Sequence, residues 1–300
     1  MKFPSLGGVC LALSLGGWIL TAAAQGTVPY RQAKDVVYGE VHGTGLLMDV
    51  FTPVGPTNGL AIVDVVSGAW SSDRNKIRDH TLAQFYQIFC SRGYTVFALR
   101  PGSKSRYTLA EMDQNLKTGV RYVKEHAAEY GVDPQRLGLT GASAGGHLAT
   151  LAALTPESAK PDAREALQRT GTQVKAVAVF FPPTDLLEWD TGKPADPQLI
   201  VPLLFVGGGT NHAAAEIQAR ARQASPLHRV TKPEVPFLIF HGDADPTVPL
   251  SHSQKLVTAI NQAGGSAELI VKAGGGHPWL TMPEEVKKMA DWFDKQLARP

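Results

Sequence analysis

Apolar residues along the chain follow two alternating rhythms. Residues 35–43 and 46–52 read as strands joined through Gly43, Thr44 and Gly45, a short turn that predicts an antiparallel pair. Residues 60–66 form an almost fully apolar run, as a strand buried on both faces would. Residues 94–99, 137–140, 174–181, 237–240 and 267–272 repeat that signal. Between them the period changes. Residues 82–90 read as helix. Met112, Leu116, Val120, Val123 and Ala127 recur at helical spacing over 109–130. Residues 145–154, rich in Ala and Leu, and 249–263 are also expected to be helical. A last helix opens on Thr281-x-x-Glu284, a capping-box pattern, and shows an apolar face at Val286, Met289, Ala290, Phe293 and Leu297.

Strands that alternate with helices over most of a chain predict a mainly parallel sheet of about eight strands with helices on both faces. Residues 182–233 break the rhythm. They are rich in Pro and Gly and hold one good helical stretch near 213–224. They read as a short cap-like insertion over the C-terminal edge of the sheet, within a single α/β domain covering 25–300.

Composition narrows the picture further. Apolar residues are 43% and charged residues 19% of the 300, which excludes a mainly disordered chain. The formal net charge is +2 and no basic block stands out, so nothing points to nucleic acid. At the N-terminus, Lys2, an uncharged run from Leu6 to Leu20 and the small residues Ala22, Ala23 and Ala24 predict a cleaved secretory signal over 1–24. The protein is therefore expected outside the cytoplasm, periplasmic or extracellular, without stable membrane association after cleavage. Cys90 alone would remain after that cut. It is expected to be a core thiol with no disulfide partner, so packing must hold the fold together.

The chemistry concentrates in three stretches. Gly141-Ala142-Ser143-Ala144-Gly145 lies between a predicted strand and a predicted helix. That context makes a G-x-S-x-G pattern a nucleophile turn: Ser143 on a sharp bend, glycines where a Cβ would collide, and the Ala144 N–H at a helix start as an oxyanion donor. A serine needs a base. His277 follows the last predicted strand in a glycine-rich loop, Gly274-Gly275-Gly276-His277, which would carry an imidazole to the same sheet edge. The order Ser…Asp…His then asks for a carboxylate between them. His241-Gly242-Asp243-Ala244-Asp245 offers two, with Asp245 the first choice and Asp243 the alternative. His147 reads as a packed helix residue near the site, and His252 as a solvated residue at a helix start. No Cys/His ligand set accompanies His241, so no metal is expected there, and Ser-His-Asp chemistry needs no metal or organic cofactor.

These stretches, with Ser225-Pro226-Leu227 and Tyr130-Gly131-Val132-Asp133-Pro134, resemble the α/β-hydrolase superfamily. More narrowly they are similar to the bacterial carboxylesterase branch near the hormone-sensitive-lipase and feruloyl or acetyl-xylan esterase groups, over about residues 35–297. The resemblance implies a serine ester hydrolase working through an acyl-enzyme on short-acyl or feruloyl/acetyl esters of small molecules or carbohydrates. It also places Asp245 as the acid. Acyl transfer, amide hydrolysis by the same triad, and a catalytically weak binding protein are the alternatives. One departure stands out. The branch carries His-Gly-Gly-Gly-Trp after its third strand, where this chain has Val66-Ser67-Gly68-Ala69-Trp70. The second oxyanion donor would then be the N–H of Gly68 or Ala69, with strain at Ser67 and Ala69 if the loop needs a positive φ. Trp70 and Trp279 are candidates to line the substrate pocket.

Overall fold

The computed structural model describes residues 28–209 and 211–298; the expected signal segment lies outside them. Ten strands form, β1 Tyr30–Val41, β2 Thr44–Pro53, β3 Ala61–Val65, β4 Thr95–Arg100, β5 Leu137–Ala142, β6 Ala176–Phe180, β7 Glu188–Asp190, β8 Lys193–Pro194, β9 Phe237–Gly242 and β10 Ala267–Lys272. The helices are α1 Arg74–Leu82, α2 Phe85–Ser91, α3 Leu109–Glu125, α4 Ala144–Leu154, α5 Pro197–Leu204, α6 Ala214–Ala224, α7 Ser251–Gln262 and α8 Met282–Leu297. Eight strands make one sheet in the order β1-β2-β4-β3-β5-β6-β9-β10. β2 is antiparallel to both its neighbours and every other pair is parallel.

Alternation along each strand divides the core in two. On β3, Val63 and Val65 join the cluster under α3 and α4, while Ile62 faces the cluster under α1, α2 and α8. β6 and β9 divide the same way, with Val177 and Ile239 on one face and Ala178 and Leu238 on the other. Cys90 is buried in the second cluster, and burial pushes its thiol up to about 12, as a core thiol requires.

The strand order also fixes where a site can form. From β3 the chain crosses to β4 on one side, then returns over β3 to β5 on the other. Loops leaving the C-terminal ends of β3 and β5 therefore diverge and leave a crevice, the usual ligand position in an open α/β sheet.

Local details differ from the sequence reading. The helix expected over 82–90 is α2, which starts only after Gln84 takes a left-handed φ of 57°, and α1 before it was not foreseen. The Thr281 capping box does not form: Thr281 makes no side-chain cap bond. Glu285, one residue past the expected partner, instead accepts the Trp279 indole N–H at 2.8 Å. The insertion adds a two-stranded ribbon, β7 with β8, and α5, neither foreseen.

Candidate active site

Ser143 occupies the turn between β5 and α4 with φ 53° and ψ −121°, a conformation costing an L-residue on the order of 1–3 kcal/mol. The surroundings enforce it. The Ser143 N–H donates to the Phe180 carbonyl at 3.0 Å and the His147 N–H donates to the Ser143 carbonyl at 2.8 Å. The flanking glycines are required sterically. A Cβ on Gly141 would lie 2.5 Å from the Gly145 carbonyl carbon, and one on Gly145 would lie 2.1 Å from the Val65 carbonyl oxygen.

β9 and β10, on the far side of β6 from β5, deliver the other two members. The Ser143 hydroxyl donates to Nε2 of His277 at 2.9 Å. Nδ1 of His277 donates to Oδ2 of Asp245 at 2.7 Å. The remaining oxygen, Oδ1, accepts the N–H groups of Thr247 at 2.8 Å and Val248 at 3.0 Å. Burial alone would raise the Asp245 pKa. Hydrogen bonds from His241, His277 and those two backbone groups outweigh it and hold the carboxyl well below the usual carboxylate range. His241 is wholly buried, donates from Nε2 to the Val248 carbonyl at 2.8 Å, and stands 3.5 Å from Asp245. It positions the carboxylate. Among the described residues no three His, Cys, Asp or Glu side chains are grouped as a metal site requires. Asp243 is not in the chain: its Oδ1 accepts the Gly274 N–H at 2.7 Å and pins the loop that carries His277.

The loop after β3 is a tight hairpin turn. Gly68 and Ser71 exchange both backbone hydrogen bonds, at 3.0 and 2.9 Å, and the two central residues have positive φ, 48° at Ala69 and 56° at Trp70. That is the two-residue primed turn that Asn-Gly or Gly-Gly normally occupies. The closure decides between the two expected donors. The Gly68 N–H is taken by Ser71, so Gly68 is withdrawn as a donor. The Ala69 N–H has no partner among the described residues. Ala144 opens α4, so its N–H lacks an intrahelical acceptor. The Gly145 N–H donates to the Ser67 carbonyl at 3.1 Å and ties this turn to the nucleophile turn.

A cavity of about 540 Å³ opens beside Ser143 and His277. Its walls are the 67–70 turn, α1, Phe181, and Pro183, Trp189 and Leu199 of the insertion. Wider clefts, of about 660 and 890 Å³, lie elsewhere and carry none of Ser143, His277 or Asp245. Trp70 lines the active cavity, but Trp279 does not. The Trp279 indole stands edge-on to Phe181, with ring centroids 5.7 Å apart, and Phe181 in turn stands 4.2 Å from His277. Trp279 therefore braces the wall from behind, and Phe181 takes the position expected of it. His252 is likewise buried, not solvated: it accepts the Thr184 N–H and donates to the Trp189 carbonyl, which fastens the insertion to α7. Lys76, Asp79 and His80 of α1 also reach the cavity, and the sequence pattern did not single them out.

The profile of the BD-FAE family matches residues 48–260, more than half of the chain. The chain belongs to the BD-FAE family, an α/β-hydrolase esterase family. Among curated relatives of this BD-FAE protein, a probable carboxylic ester hydrolase, LipM, of Mycobacterium tuberculosis is 28% identical over 236 residues, 78% of this chain and 52% of that one. Esterase LipQ of the same organism is 26% identical over 82% of this chain and 56% of its own. The chain thus spans about half the length of these relatives. Among solved structures, a truncated carbohydrate esterase from gut microbiota superposes with a TM-score of 0.77 at 26% identity, covering 91% of this chain and 99% of that one. A thermophilic esterase of Thermogutta terrifontis superposes with a TM-score of 0.68 at 27% identity, covering 89% and 92%. Among the described residues of the BD-FAE chain, no helix is long and apolar enough to cross a membrane.

Proposed function

We propose that the protein is an exported serine carboxylic-ester hydrolase. The hydrogen-bonded run Ser143–His277–Asp245, with the Ala144 and Ala69 N–H groups left free beside it, carries this reading. Ser143 Oγ attacks the ester carbonyl carbon while its proton passes to Nε2 of His277. The carbonyl oxygen becomes an oxyanion between the two free N–H groups, each worth about 10²–10³ in turnover. Collapse of this adduct breaks the bond to the alkoxide, which leaves with the proton from Nε2. Water then attacks the acyl-Ser143 ester by the same route in reverse and frees the acid. Asp245 remains ionised throughout, holding the imidazole tautomer and balancing the imidazolium. A mixed wall of Phe181, Trp189 and Leu199 suits a short acyl or feruloyl group. The carbohydrate esterase among the similar structures supports an ester borne on a sugar.

The test is hydrolysis of p-nitrophenyl acetate, butyrate and octanoate and of a feruloyl ester, beside Ser143→Ala. Turnover that vanishes in the variant, with a fluorophosphonate probe labelling only the native serine, is the expected result. Equal rates for the two proteins on every ester would overturn the reading.

A further inference from the structure

The wall of the cavity opposite His277 carries charge that ester cleavage does not use. β3 and α1 lie on one side of β5, and the strands that deliver Asp245 and His277 on the other. On the α1 side, Nδ1 of His80 is 2.7 Å from Oδ2 of Asp64. Asp64 sits in the middle of β3 with no solvent exposure, and its Oδ1 has no partner. Among the described residues, the only other hydrogen bond to its carboxylate comes from the Tyr86 hydroxyl, at 3.0 Å. A carboxylate so placed is costly unless a cation answers it. The His80 imidazole, 2.7 Å away, answers it as a cation when protonated.

The far side of the ring is open. The His80 side chain is 16% exposed, and Nε2 has no partner among the described residues. Burial opposes a charge on this ring, and the Lys76 ammonium opposes it slightly, but Asp64, and Asp79 more weakly, outweigh both and raise the His80 pKa above its ordinary value. One turn earlier, Lys76 lies over Gly68 of the oxyanion turn and lines the same cavity. Among the described residues its single ionic partner is Asp79, at 3.2 Å, and both side chains are more than one third exposed. Such a pair is weak and exchanges readily for a better anion.

We propose that Lys76 and His80 form a subsite for a carboxylate carried by the ester substrate, on its acyl or its alcohol part. The proposal rests on the serine-esterase reading and adds a substrate class to it. The Nε2–H of His80 donates one charge-assisted hydrogen bond. Nζ of Lys76, released from Asp79, donates the second. Asp64 keeps the ring charged and oriented without touching the substrate, which makes it a positioning residue.

Two matched substrate pairs test this: p-nitrophenyl monoadipate against p-nitrophenyl hexanoate, and 4-acetoxybenzoate against its methyl ester. The first pair places the charge on the acyl part and the second on the alcohol part. The readout is the kcat/KM ratio of anionic to neutral ester in the wild type, His80→Gln and Lys76→Gln. In at least one pair the ratio is expected to fall about tenfold or more in each variant, mainly through the KM of the anionic ester. Lys76→Gln leaves the Asp64–His80 pair intact, so the proposal stays testable if His80→Gln folds poorly. Unchanged ratios in Lys76→Gln for both pairs, with neutral esters turned over normally by wild type, overturn the subsite alone. Failure of the wild type on the neutral esters overturns the esterase reading, and the subsite with it.

Discussion

Trp70 donates its indole N–H to Nδ1 of His147 at 3.1 Å, joining the 67–70 turn to the helix behind Ser143. The other ring nitrogen of His147 donates to the Ala224 carbonyl at 2.8 Å, which sets the tautomer and ties in the last residue of α6. Trp70 is the second central residue of the turn whose first is Ala69. Its anchorage therefore fixes where the Ala69 N–H points. Trp70→Phe keeps the ring but removes the donor and leaves a buried acceptor unpaired, at a cost of about 1–3 kcal/mol in urea unfolding. If the anchored turn supplies the oxyanion donor, kcat falls roughly ten- to hundredfold with a smaller change in KM. A variant that loses stability and keeps its kcat would reduce the bond to packing.

The two carboxylates after β9 have separable duties. Asp245→Asn preserves shape but turns an amide toward His277, so kcat is expected to fall on the order of 10⁴-fold. Asp243→Asn still offers an oxygen to the Gly274 N–H, so its kcat/KM stays within about fivefold of wild type. Steady-state rates on one p-nitrophenyl ester decide it. A larger loss in the Asp243 variant would reverse the assignment.

Much of this geometry is legible in the sequence because each candidate catalytic side chain rides on an element with its own strong signal. Ser143 follows an apolar strand and precedes an Ala-rich helix, and His277 follows the last strand after three glycines. Those local patterns fix the side chains to one edge once the sheet order is set. What stayed hidden depends on pairings between distant segments. The choice of Ala69 over Gly68 is made by Ser71 closing the turn, a two-residue contact with no periodicity. The His80 pKa is raised by Asp64, a lone acid within an apolar strand, and only packing of α1 on β3 brings them together. His252, at the start of a helix, reads as solvated until the insertion is seen folded against it. Trp279 went astray for the reverse reason: nearness in sequence to His277 does not place it in the cavity, because Phe181 stands between.

Ala69 carries strain that glycine would not. Its φ of 48° costs an L-residue roughly 1–2 kcal/mol, while glycine adds about 0.4–1 kcal/mol of unfolded-state entropy. Ala69→Gly retains the N–H and should raise unfolding stability by a few tenths to about 1 kcal/mol. Activity should remain within about threefold. A loss of stability would mean that the Ala69 methyl packs better than its exposure implies.

Two buried histidines fasten the insertion to the body, and both are held neutral. Burial is the main cause at each, and it pulls the pKa of His147 and of His252 down to about 4. The unfolded chain protonates these rings near 6.5, whereas the folded chain does not until about 4. Between those values the unfolded state binds more protons, so stability falls as pH falls, by about 2 kcal/mol per ring between pH 7 and pH 5. Wild type is therefore expected to lose stability over that interval, measured by urea unfolding at each pH. His147→Gln removes one of the two rings, so its loss should be smaller by about 2 kcal/mol even though it starts less stable at pH 7. Equal losses in the variant and wild type would mean that His147 takes up its proton in the folded state. In that case Nδ1 would no longer accept the Trp70 indole N–H, while the Nε2–H bond to Ala224 would persist.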